Sequence, residues 1–156
     1  MARLTGRGRT VGFKFRPAGF HALLRPSLAP ADLVDRPLAV GDAFTASVEV
    51  RELEQALGAT DDPDALVALA AAFVRAHHPG VDDEDRELDR IVAQCHADSE
   101  ISRVAQLAES KGRSVRALER LSRSRIGVSP KWVIRRYRVQ EAALRLASGD
   151  DVDLSA

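Results

Sequence analysis

Beyond residue 80 only four residues break helices, Gly112, Gly127, Pro130 and Gly149, and each falls at the edge of a helically spaced stretch. That punctuation prescribes a unit of short helices joined by tight turns. Leu88, Ile91, Val92 and Cys95 form one stripe at helical spacing, and Ile101, Val104, Ala105 and Ala108 form a second, with Asp98 or Ser99 as its N-cap. Ser110-Lys111-Gly112-Arg113 is a short turn, after which Ser114 caps a third helix running to about Arg125, with Gly127 just past its end. Ser129 and Pro130 then supply an N-cap and a first helical residue for a fourth helix, which runs to Ser148 before Gly149.

The first half is punctuated differently. Six of the seven prolines, seven of the ten glycines and all five phenylalanines precede residue 81. His78-Pro79-Gly80 marks the expected boundary, dividing the chain into a unit over 1–79 and a second over 80–156. Thr10–Arg16 alternates and is β-prone until Pro17 stops it, which predicts a strand. Residues 17–42 read as irregular, Phe44–Leu57 as a helix ended by Gly58, and Asp62-Pro63 as the cap and first residue of a helix reaching about His77. One strand cannot make a sheet, so this half reads as a small β remnant plus helices, the tail of a larger β domain. The fold class is mainly α.

Charge sharpens the division. The 23 Lys and Arg balance the 23 Asp and Glu, but the neutral total is a sum of large terms. Residues 1–31 hold six basic residues and no acid; residues 32–100 hold seventeen acids against five arginines; residues 101–148 hold twelve basic residues against three glutamates. Such asymmetry places a polyanion-binding segment beside one that binds none. The acidic run Asp82–Asp89 reads as a solvated linker and helix start, where negative charge suits the macrodipole.

Other chemistry is excluded in turn. A single Cys gives no disulfide framework and no thiolate cluster for structural zinc. His77-His78 and Cys95-His96 are adjacent pairs that point about 100° apart on a helix, so no metal site is expected. No Ser/His/Asp or Cys/His constellation sits on elements that must meet, which argues against an enzyme and leaves no cofactor to place. Gly6–Gly12 is Gly-rich and basic without phosphate-loop spacing, and reads as a flexible arm. With no apolar run near the ~18 residues of a membrane span, the expectation is a cytoplasmic protein without a membrane partner.

The turn at Gly112 carries the functional reading. Two short helices joined by a Gly-containing turn describe a helix-turn-helix, whose second helix enters the DNA major groove. At ~100° per residue, Val115, Leu118 and Leu121 fall on one side of the third helix and Arg116, Arg120 and Arg123 on the other, with Arg113 projecting near the same direction. Arg reads guanine bidentately and also clamps phosphate; Glu119, at the edge of that face, accepts from cytosine or pairs with Arg123. Base reading falls to Arg116, Glu119 and Arg120. Backbone contact falls to Arg113, Ser114, Arg123, Lys131, Arg135 and Arg138. On the fourth helix Val133, Tyr137, Leu144 and Ala147 share a face opposite Lys131, Arg135, Arg138 and Arg145, although Arg138 and Arg145 also stand at ion-pair spacing from Glu141. Trp132 and Tyr137 read as core anchors.

Ile101-Ser-Arg-Val-Ala-Gln-Leu-Ala, Gly112-Arg-Ser114, Arg116-Ala-Leu118-Glu-Arg120-Leu121, Gly127-Val-Ser129-Pro130 and Arg138-Val-Gln-Glu-Ala142 together resemble the AraC/XylS family of bacterial transcription regulators over about 88–148. The resemblance implies a homeodomain-like bundle of two helix-turn-helix units joined by a long connecting helix, here Ser129–Ser148. It makes Ser114–Arg125 the first recognition helix, with Arg116, Glu119 and Arg120 at its base-facing positions. Arg3–Asp35 resembles the end of a cupin-like sensor domain, implying a small-molecule effector in full-length relatives and a homodimer. The chain departs from the pattern at Ser122, where the family usually carries a buried Phe, a loss worth ~3 kcal/mol. It also ends where a second helix-turn-helix is due and begins at a late strand, which implies a regulator cut at both ends. The alternative reading is a truncated interaction module that pairs with a partner protein or paralogue and has lost DNA binding.

Overall fold

A computed structural model describes residues 11–148. Among them the chain is mainly helical: α1 (Val40–Ala43), α2 (Ser47–Gly58), α3 (Pro63–His77), α4 (Asp83–Ala97), α5 (Val104–Ser110), α6 (Val115–Ile126) and α7 (Pro130–Ser148), with 3-10 turns at His21–Leu23 and Pro30–Leu33. None of these helices is long and apolar enough to cross a membrane.

The predicted strand does not form. Thr10 lies outside the described residues, and Val11–Arg16 has no regular structure. The only sheet-like pairing among the described residues is an isolated antiparallel bridge between Leu24 and Phe44. A strand needs a partner edge, and Phe13 and Phe15 instead stack on each other at 6.3 Å and lead into an aromatic string. Phe15 packs on Phe20, Phe20 on Phe44, Phe44 on Phe73 and Phe73 on His77. All five phenylalanines are thus used to seat the first half on α3, so the β remnant is replaced by coil and helix.

The same bridge explains the second difference. Phe44 was expected to start a helix, but its neighbours pair with the Leu23–Arg25 segment, Arg25 N–H donating to the Ala43 carbonyl at 2.9 Å and Thr45 N–H to the Leu23 carbonyl at 3.3 Å. The predicted helix therefore starts later, as α2 at Ser47, and Val40–Ala43, mostly within the stretch read as irregular, forms the separate turn α1. The Asp62 cap and Pro63 start of α3 form as expected, the Asp62 carboxylate accepting from Asp64 N–H.

The core lies between α4, α5, α6 and α7. Leu88, Ile91, Val92 and Cys95 of α4 are buried against Leu107 and Ala108 of α5, Leu118 and Leu121 of α6, and Val133 and Ile134 of α7. Fully burying a leucine such as Leu118 contributes roughly 2–3 kcal/mol. Burial also pushes the Cys95 thiol above its ordinary pKa, which suits a packing residue and not a nucleophile. Helix α5 begins at Val104, later than the Asp98/Ser99 cap predicts. Asp98 instead accepts from Glu100 N–H, Ile101 is buried outside the helix, and Leu107 occupies the core-facing position while Ala105 is exposed.

Packing crosses residue 79. Ala18 belongs to the α4–α7 core, its N–H donates to the Asp89 carboxylate, and His21 lies 2.8 Å from the Asp85 carboxylate. The Pro30–Leu33 turn sits on the C-terminal end of α6, where Gly127 adopts φ +81° and an added Cβ would meet the Pro30 backbone at 2.6 Å. Only glycine satisfies both the left-handed helix cap and that close approach.

Candidate nucleic-acid interface

Helix α5, the turn after it and α6 form one unit because the chain supplies its local bonds in sequence. Gly112 takes φ +61°, its N–H donates to the Glu109 carbonyl, and Arg113 N–H donates to Ala108. Ser114 caps α6 by accepting from Ala117 N–H at 3.2 Å. Ser129 similarly caps α7, accepting from Trp132 N–H. Leu118 and Leu121 anchor α6 to the core, while Val115, assigned to the same side, is 40 % exposed at the first turn.

Ser122 takes the third inward position. It is buried, and its hydroxyl donates to the Val128 carbonyl at 2.6 Å. The space beside it, lined by Leu88, Leu107, Leu118 and Val133, has closed to a void of about 10 Å³. A polar bond and tight closure stand where a large apolar side chain was expected.

Arg116, Glu119, Arg120 and Arg123 are all exposed on the opposite face of α6. Among the described residues none of them makes an ion pair, and the predicted Glu119–Arg123 pair is not formed. Lys131 and Arg135 are likewise exposed on α7 without a carboxylate partner among the described residues.

Two of the assigned backbone contacts are turned elsewhere. Arg113 holds Glu87 of α4 bidentately, with Nε and Nη2 each 2.6 Å from a carboxylate oxygen. That hydrogen bond, chiefly, holds the Glu87 carboxyl below the usual range and raises Arg113 above its own. Arg138 points inward: Nη2 donates to the Cys95 carbonyl and Nη1 lies 2.9 Å from Glu141. Arg145 takes the other oxygen of Glu141 at 2.8 Å. The reason is the same in both cases, a carboxylate or carbonyl within reach on the packed side of the helix.

The acidic run is a helix start as expected, capped by Asp82, but it is not left to solvent alone. Arg125, at the end of α6, meets Asp82 at 2.9 Å, Glu84 at 2.7 Å and Asp85 at 3.1 Å. Asp85 is only 2 % exposed, accepts from Asp82 N–H, and lies 2.8 Å from His21. Burial works against the Arg125 charge, but the three carboxylates outweigh it and raise its pKa. Asp82 is held below its ordinary value, first by accepting from Asp85 N–H and then by Arg125. Sequence spacing could not show this junction, because its partners lie 40 or more residues apart; the density of acid at 82–87 opposite a basic helix was the available signal.

On α7, Tyr137 packs against the core and the ring of His96 at 4.9 Å. Trp132 is 49 % exposed, not a core anchor, with the Arg136 guanidinium over its ring at 5.7 Å. The α7 face expected to be buried ends at Tyr137, since Leu144 and Ala147 are exposed. Arg136 was absent from the sequence-derived faces, and its i+4 spacing from Trp132 is what points to it.

No group of three or more His, Cys, Asp or Glu among the described residues forms a metal-binding cluster. No family model, curated protein or solved structure matches the chain.

Proposed function

We propose that the chain is a sequence-specific DNA-binding transcription regulator that inserts α6 into the major groove of duplex DNA. The observation carrying this reading is the exposed Arg116–Arg120–Arg123 stripe, unpaired among the described residues, on a helix whose other face is fixed in the core. Three cations held together on one rigid face repel one another, and an anion lattice relieves that repulsion. Arg116 and Arg120, with Glu119 beside them, read base edges; Arg123, Lys131 and Arg135 with the Ser114 cap position the backbone. Arg113 and Arg138 leave that set because each is half-buried and bonded to an acceptor of the protein itself. The motif resemblance to AraC/XylS regulators supports the same reading, and with it a cytoplasmic location and a homodimer.

The test is selection from a random duplex pool followed by mobility shift on the enriched sequence. One helix-turn-helix predicts weak binding, with log K falling against log salt by roughly 0.9 per phosphate contact. Recovery of no enriched sequence, together with salt-independent binding, would refute it. A second reading, an interaction module that pairs with a partner protein, is favoured by one observation: Val139, Leu144 and Leu146 are exposed on the outer half of α7. Under that reading light scattering detects a complex in which DNA plays no part.

A further inference from the structure

Where the N-terminal segment crosses the helix bundle, a cleft of about 580 Å³ opens between Lys14, α4, the α6–α7 turn and α7. That volume lies in the range of small-molecule sites, ~300–1,000 Å³. Its floor is apolar, made by Val92, Ile126 and Val128, and its wall is aromatic, made by Trp132 and Tyr137. Its charges are of one sign: Lys14 and Arg136 both line it, and none of its lining side chains among the described residues is acidic.

Three features narrow the occupant. An exposed indole beside apolar side chains favours a flat, apolar body, because ring stacking adds to area burial. Two cations without a carboxylate partner among the described residues favour an anion on that body. Residues 1–10 of the sequence hold three arginines and no acid, so they contain no carboxylate side chain to serve as that anion.

We propose that this cleft binds a small aromatic carboxylate, its ring against Trp132 and Tyr137 and its carboxylate between Lys14 and Arg136. The site is independent of the DNA-binding reading and stands or falls without it. Ile126 and Val128 bring its floor to the end of α6.

Trp132 is the chain's single tryptophan, so its indole N–H gives one assignable cross-peak in a ¹⁵N-labelled sample. The probe is 2-naphthoate, compared with neutral 2-naphthalenemethanol and with inorganic phosphate. The expected result is a saturable shift with naphthoate at a Kd below about 1 mM, at least about tenfold weaker binding of the alcohol, and no saturable shift with phosphate. Lys14→Gln/Arg136→Gln, both exposed positions, should weaken naphthoate about tenfold or more with unchanged Tm, and leave the alcohol unaffected. Equal affinity for acid and alcohol, a double variant that binds naphthoate as the parent does, or a shift that follows protein concentration without ligand would each overturn the assignment.

Discussion

Helix α6 carries two kinds of arginine, and the difference between them decides what the helix can do. Arg125, at its C-terminal end, lies among Asp82, Glu84 and Asp85 and is spent on holding α6 to α4. Arg116, Arg120 and Arg123, on the outward face, meet no carboxylate among the described residues. Arg113, in the turn before the helix, sides with Arg125 by gripping Glu87. The excess of positive charge over 101–148 is therefore not one surface. Part of it is neutralised by the acidic start of α4, which positions the part that is not. A charge balance by segment locates both populations, and only tertiary pairing tells them apart.

The comparison breaks first at Arg125. Arg125→Ala leaves the Asp85 carboxylate buried without its cation, which should cost about 3 kcal/mol of stability in urea unfolding. A loss under about 0.5 kcal/mol, the range of an ordinary surface change, would place Arg125 with the outward arginines. The next largest effect is on the other face. Arg116→Ala and Arg120→Ala should each remove about 1–3 kcal/mol of discrimination for the preferred base pair, while unfolding midpoints stay within about 0.5 kcal/mol of the parent.

Smaller effects sharpen the boundary. Glu87→Gln should cost about 1 kcal/mol and change the acid limb of the stability curve. Glu87 and Asp82 have lowered folded pKa values, so their stabilisation is complete above their ordinary values of 4.5 and 3.8 and is lost as pH falls through the lower folded ones. Urea midpoints should therefore drop below about pH 4.5, and less steeply in Glu87→Gln. The smallest effect belongs to Lys131→Ala, which should weaken every duplex alike and reduce the salt slope by about 0.9, with base preference unchanged.

How much of this was readable from the chain follows the range of the interactions. Helices α3, α6 and α7 were legible because their caps and stops are local: Asp62-Pro63, Ser114, Gly127 and Ser129-Pro130 act within four residues, and α4 was legible from its Leu88, Ile91, Val92 and Cys95 stripe. The outward stripe of α6 was legible from phase alone. The strand over Thr10–Arg16 was misread because alternation states a preference for extended backbone, not the presence of a partner edge. Trp132 was misread because phase places a residue near a face without saying where the neighbouring elements stop. The fates of Arg113 and Arg125 were out of reach, since Glu87 and Asp85 come to them only through folding; the Arg138–Glu141 pair was legible from its i+3 spacing, the Arg138 bond to the Cys95 carbonyl was not.

The central claim is that the unpaired face of α6, and not its paired end, contacts DNA. Fluorescence anisotropy on a selected duplex, with the parent and the Arg116→Ala/Arg120→Ala variant at matched salt, tests it most directly. The account predicts an unchanged Tm, loss of base preference and a remaining affinity no better than that for random duplex. A variant that folds as the parent does and still binds the selected duplex with the parent's affinity and preference would contradict it.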